Sequence, residues 1–179
     1  SVEETVDELK KRIEKILREI KRVNEELAKR NEDVNEEWRR EVDKMIKDIE
    51  RILRDVLRKE DSEDLRRRVE EVKRHLKRNK DEVEKKSKEN KDRVRTSHER
   101  LRDLLRRIRE RLEELERRLK DLDIEKLKRD AERILEEIKR AVDTSREESE
   151  RTLKELRDMV KESRKDAEEV LERIDRDKR

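Results

Sequence analysis

Glycine, proline, cysteine, phenylalanine and tyrosine are all absent from this 179-residue chain. Glycine and proline are the residues that most cheaply supply positive φ and pre-set turns, so their absence argues against tight hairpins, bulges and a strand-rich fold. Without cysteine there is no disulfide, no thiolate metal ligand and no redox motif. Aromatic residues are reduced to Trp38, and histidine to His75 and His98. No apolar run approaches the roughly 20 residues that a membrane-spanning helix needs. No signal peptide or lipidation motif is legible, and the compartment stays open. Blocks of one charge sign are missing too, because 57 basic and 54 acidic residues interleave to a net charge of +3. A nucleic-acid partner calls for a basic face or stripe, so neither a nucleic acid nor a membrane is an expected partner.

What is present is charge. Charged residues make up 62% of the chain, against about 25% in an average globular domain. Such a composition usually marks disorder, but the order of the residues overrules it. Apolar residues recur at steps of three and four over long runs, which a disordered tail would not maintain. Most residues are strong helix formers (Glu, Lys, Arg, Leu), so the fold is expected to be all-helical.

A first apolar seam runs from Val2 through Ile13, Ile20, Leu27, Asn31, Val34, Trp38, Val42 and Ile49 to Val56. It averages about 3.6 residues per step, the period of a straight helix rather than the 3.5 of a supercoiled heptad. Ser1 and Glu4 have the spacing of a capping box at its start. A second seam runs from Leu65 through Leu76, Asn79, Val83, Ser87, Asn90, Val94, Ser97, Leu105 and Leu112 to Leu119 and Leu122. A third runs from Leu127 through Ala131, Ile134, Ile138, Ala141, Ser145, Ser149, Thr152, Leu156 and Ser163 to Ile174. Asp61 or Ser62 is the expected cap of the second helix and Asp121 or Asp123 that of the third, with Leu122 packing over the turn. Arg173, Arg176, Lys178 and Arg179 suit the negative end of the last helix dipole.

These seams predict one domain over residues 1–179, with helices at about 2–59, 63–120 and 123–177. Short connections make neighbours antiparallel, so the expected architecture is a long, nearly straight antiparallel three-helix bundle running up-down-up. A rival arrangement breaks each helix at its polar middle and gives six shorter helices. Pairing Arg58 with Asp64 makes facing residue numbers in the first two helices add to 122. Pairing Leu122 with Ile124 makes them add to 246 in the last two. Apolar flanks at Leu17, Ile46, Leu53, Leu57, Leu104, Leu135, Val142 and Leu171 widen the seams.

Polar residues interrupt all three seams. Asn24, Asn31, Asn35, Asn79, Ser87, Asn90, Ser97, His98, Ser145, Ser149 and Thr152 fall in three stretches that this register aligns. Asn31 is expected beside Asn90, Asn35 opposite Ser87, and Asn24 near His98 and Ser149. Leaving such groups buried and unpaired costs about 1–3 kcal/mol each, so a hydrogen-bonded structural network is the expected reading. Trp38 is expected to be a core residue whose N–H finds a partner, with Ser163 at the right height.

No catalytic, cofactor-binding or metal-binding residues are expected. His75 and His98 lie 23 positions apart on one helix, about 35 Å at 1.5 Å per residue, too far to share a metal. His98 beside Ser145 or Ser149 has no Gly-rich turn or free helix N-terminus to supply an oxyanion site. The chain therefore reads as a non-enzyme that needs no cofactor and no partner, a monomer by preference. The alternative is a helical interaction module that self-associates or accepts a partner helix, pH-sensitive through a buried His98.

Straight seams, three helices of equal length, glycine-free loops such as Glu60-Asp61-Ser62-Glu63-Asp64, Arg/Glu/Lys surfaces and polar layers resemble computationally designed helical bundles with buried hydrogen-bond networks. The resemblance covers the whole chain and is one of style rather than of a functional motif. It implies a thermostable scaffold, melting above about 90 °C, without natural biochemical activity. The polar centre, with few Leu, departs from that pattern toward a leaner core.

Overall fold

The computed structural model describes residues 1–59, 62–118 and 123–177. They form three α-helices, α1 (Val2–Lys59), α2 (Glu63–Glu116) and α3 (Ile124–Asp177), in an all-α three-helix bundle with no strand among the described residues. No described residue has positive φ, as suits a chain without glycine.

The helix starts follow their caps. Ser1 Oγ accepts from the Glu4 N–H at 3.3 Å, and Ser62 Oγ accepts from the Leu65 N–H at 3.2 Å. Each caps an N–H that has no partner within its helix. Acidic residues open α2 (Glu63, Asp64) and basic residues close α1 (Arg58, Lys59), matching the helix dipole. Asp123 directly precedes α3, and its carbonyl accepts the first helical bond from the Leu127 N–H at 3.4 Å. The end expected for α2, near residue 120, is corrected. The helix stops at Glu116, and the Arg118 N–H closes a tighter turn onto the Leu115 carbonyl at 3.0 Å. Three-residue turns of this kind satisfy carbonyls that a helix end leaves without partners. The expectations for Asp61, Leu119, Asp121, Leu122, Lys178 and Arg179 lie outside the described residues.

The helices continue unbroken through all three polar stretches, which removes the six-helix alternative. The chain nevertheless divides into two compact units. Unit 1 comprises Ser1–Lys29 and Lys91–Glu150, and unit 2 comprises Arg30–Asn90 and Arg151–Arg179.

Unit 1 holds a continuous apolar core. Val6, Leu9, Ile13, Ile16 and Ile20 of α1 pack with Leu105 and Leu112 of α2 and with Ala131, Leu135, Ile138 and Val142 of α3. Its ion pairs define directions. Lys10 reaches Glu113 at 3.4 Å and Arg109 reaches Glu14 at 3.8 Å, so α1 and α2 are antiparallel. Arg12 reaches Glu136 at 3.3 Å and Arg146 reaches Glu26 at 3.6 Å, so α1 and α3 run parallel. Full burial of a Leu or Ile contributes about 1.5–3 kcal/mol, whereas an exposed ion pair contributes about 0–1 kcal/mol. The core dominates stability and the ion pairs report register.

The third seam needs correction in this unit. Leu135 and Val142 are fully buried, while Ile134 and Ala141 face outward. Farther along α3, in unit 2, Leu153 is fully buried and Thr152 only half-buried. The inward stripe is thus 131-135-138-142, then Ser149, Leu153 and Leu156. Adjacent apolar pairs at 134/135 and 141/142 fit a 3.6-residue period equally well. Turning Val142 inward rather than Ala141 removes more apolar surface from water.

Unit 2 is leaner. Its buried apolar residues are Trp38, Val42, Ile49, Val69, Leu76, Val83, Leu153, Leu156, Ala167 and Ile174. Asn31, Ser87, Asn90 and Ser163 are buried among them. Lys73 reaches Glu50 at 3.0 Å and Lys80 reaches Asp43 at 3.9 Å, again antiparallel.

Candidate functional site: the buried polar residues

The eleven polar positions expected inside the bundle separate into two groups by burial. Asn31, Ser87, Asn90, His98 and Ser149 are buried. Asn79 and Thr152 are half-buried. Asn24, Asn35, Ser97 and Ser145 are also half-buried, at core borders that solvent reaches. A 3.6-residue period locates the inward face but not the width of the covered strip, so positions at its edge stay partly open.

In unit 2, Asn90 Nδ2 donates to Asn31 Oδ1 at 2.9 Å. Their numbers add to 121, one short of the 122 expected from the hairpin. Ser87 Oγ donates to the Glu84 carbonyl at 2.9 Å, so its hydroxyl bonds within α2 rather than across to Asn35. Back-bonding to the preceding turn is the common solution for a helical serine.

Trp38 is buried, and its indole N–H donates to Asn79 Oδ1 at 3.0 Å. The partner expected by height was Ser163, which is itself buried on α3. On the α3 side Trp38 meets a cation instead, because Arg164 Cζ stands 5.9 Å from the ring centroid. That guanidinium is fixed by a two-pronged bond to Glu41, with its Nε and one terminal nitrogen donating to the two carboxylate oxygens, the latter at 2.7 Å. The bond to Glu41 raises the Arg164 pKa further above its ordinary value. Ring face and N–H edge thus have separate partners on α3 and α2. Sequence reading missed this arrangement. Its one available signal was Asn79, an amide on the seam within two turns of the height facing Trp38.

In unit 1, His98 is 1% exposed, and neither ring nitrogen has a hydrogen-bond partner among the described residues. Burial, and then the positive charge of Arg102, lower its pKa from the usual 6.5. His75 is exposed and belongs to unit 2.

Two surface grooves are formed by described residues of unit 2. One, of about 740 Å³, has an apolar floor of Val72, Ala167, Val170 and Ile174, with His75, Asp166, Glu71, Arg68 and Arg173 around it. No hydroxyl nucleophile is among those residues. The other, of about 510 Å³, lies around Trp38, Glu41 and Arg164. No group of three or more acidic or histidine side chains arranged to hold a metal occurs among the described residues. No described helix is long and apolar enough to cross a membrane. No protein-family model, no curated protein and no solved structure matches this chain.

Proposed function

We propose that the chain is a non-enzymatic structural scaffold of the computationally designed helical-bundle kind. Its buried polar residues select which helices pair and in what register. The Asn31–Asn90 hydrogen bond carries this reading, because it joins two buried amides across α1 and α2. Leu, Ile and Val contacts tolerate a slip of one turn, since one apolar layer resembles the next. A slip would strand both amides in an apolar environment at about 1–3 kcal/mol each. The pair therefore penalises wrong alignments more than it stabilises the right one, as a single buried Asn does in coiled coils. The chain needs no cofactor, metal or partner for this role.

The test is the double substitution Asn31→Leu with Asn90→Leu, compared with the parent by light scattering after size exclusion. The parent is expected at a constant 22.3 kDa across a tenfold concentration range. The variant is expected to keep its helical content but to populate additional species. A variant as uniform as the parent would remove the specificity role. Leu104 (41% exposed) and Ile134 (36%) support the second reading, an interaction module that self-associates or accepts a helix. A parent mass that rises with concentration would select it.

A further inference from the structure

Of the two histidines, His75 is exposed and His98 is buried. We propose that His98 is an acid-sensitive latch in unit 1: the neutral ring is compatible with the closed core, and protonation opens the packing around it. The ring is 1% exposed and neither nitrogen finds an acceptor or donor among the described residues. A neutral imidazole tolerates such a site at the cost of unmade hydrogen bonds. An imidazolium has two N–H donors and a full charge to accommodate, which costs far more without a counter-ion.

The charged groups around it offer no relief. On its own helix the neighbour is Arg102, a like charge. From α1, the register of unit 1 sets Asn24 opposite His98, with Glu26 half a turn on. Glu26 is engaged by Arg146 of α3 at 3.6 Å, and Arg146 also holds Glu150 at 3.2 Å. From α3 the same register brings Ser149, with Glu148 exposed beside it. No carboxylate acts on His98 strongly enough to offset burial.

The direction of the pH effect follows from linkage. The folded-state pKa lies below the unfolded value of 6.5, so the unfolded chain binds the proton more readily. Stability is full above about pH 6.5 and falls as the pH drops toward the depressed folded value. Every unit of depression corresponds to a tenfold change in the folding constant.

The test uses the full chain with urea denaturation at pH 7.5 and pH 5.0, and His98→Leu reports what the carboxylates, partly protonated at the lower pH, contribute by themselves. The parent midpoint is expected to fall at pH 5.0, that of His98→Leu to fall distinctly less, and that of His75→Gln to fall as in the parent. Equal midpoints for the parent at both pH values would overturn the proposal, as would an undiminished fall in His98→Leu. Should His98→Leu fail to fold, the parent suffices. The His98 ring protons are expected to titrate below pH 6.5, and amide protection around residues 91–105 to drop in the same range. A ring that titrates at or above 6.5, or protection that persists through its titration, would overturn the latch.

Discussion

Asn90 donates its side-chain amide to Asn31 at 2.9 Å, with both residues 1% exposed. Replacing one partner leaves the other buried with less than its full complement of bonds. Asn31→Leu or Asn90→Leu alone is therefore expected to destabilise by about 1–3 kcal/mol. The double variant is expected to recover most of that loss, since two apolar side chains suit the site better than one orphaned amide. Urea denaturation of the four proteins of the double-mutant cycle measures the coupling. Strictly additive losses would show that the two amides do not act as a pair.

Trp38 divides its interactions between two helices. Asn79→Leu leaves the buried indole N–H without its acceptor and is expected to cost about 1–3 kcal/mol. Trp38→Ala empties a fully buried site and is expected to cost about 3–5 kcal/mol. Arg164→Leu removes the cation over the ring, about 0.5–1 kcal/mol at a site this exposed. Trp38 fluorescence follows the first and third variants, and helical ellipticity the second. A smaller loss for Asn79→Leu than for Arg164→Leu would reverse the order in which the N–H edge and the ring face matter.

Ser62 caps α2 through Leu65, at a part-buried position. Ser62→Ala is expected to lower stability by about 1 kcal/mol, and Ser62→Asp to retain it, because the carboxylate also accepts from the first turn. Paired denaturation curves of the two variants check this. Equal losses would place the origin of α2 in the core contacts of Val69 and Leu76 instead.

The Lys73–Glu50 pair sets a weak pH dependence at both extremes. Its hydrogen bond holds the Glu50 carboxyl below 4.5 and raises the Lys73 ammonium above 10.5. The Glu50 contribution is present above pH 4.5 and is lost as the pH falls through its depressed pKa. The Lys73 contribution is present below pH 10.5 and is lost as the pH rises through its raised value. Glu50→Gln should flatten both limbs slightly in urea midpoints followed from pH 3 to 11. Unchanged limbs would mean that solvent screens the pair completely.

Much of the local structure was legible. The capping residues Ser1 and Ser62 lie where the spacing required, and α1 (Val2–Lys59) carries the whole of the first seam. Facing numbers in α1 and α2 were expected to add to 122. Lys10–Glu113 and Glu50–Lys73 both add to 123, and Asn31–Asn90 to 121. Between α2 and α3, Lys86 and Met159 add to 245 against an expected 246. Short connections leave antiparallel helices little freedom to slide, so hairpin arithmetic sets register to within a turn.

Choices among near-equal neighbours were not legible. Glu136 was free to pair with Arg140 on its own helix, yet it accepts from Arg12 of α1. Ile134 and Leu135 are alike in hydropathy, and only the arrangement of the other two helices decides which one they cover. Trp38 has one N–H, and which helix supplies its acceptor depends on how the ring lies against Arg164.

The three polar stretches show both sides of the division. Each boundary between the compact units falls inside one of them, at Lys29/Arg30, Asn90/Lys91 and Glu150/Arg151. Composition and period alone determined that the chain is helical, where each seam runs and where apolar burial thins. Both are local properties, set by backbone propensity and a 3.6-residue repeat. Tertiary structure decided that Asn31 meets Asn90, that Ser87 bonds within its own helix and that His98 is enclosed with no hydrogen-bond partner among the described residues. Hydrogen bonds require atoms within about 3 Å at defined angles, and a one-dimensional period specifies neither the distance nor the direction.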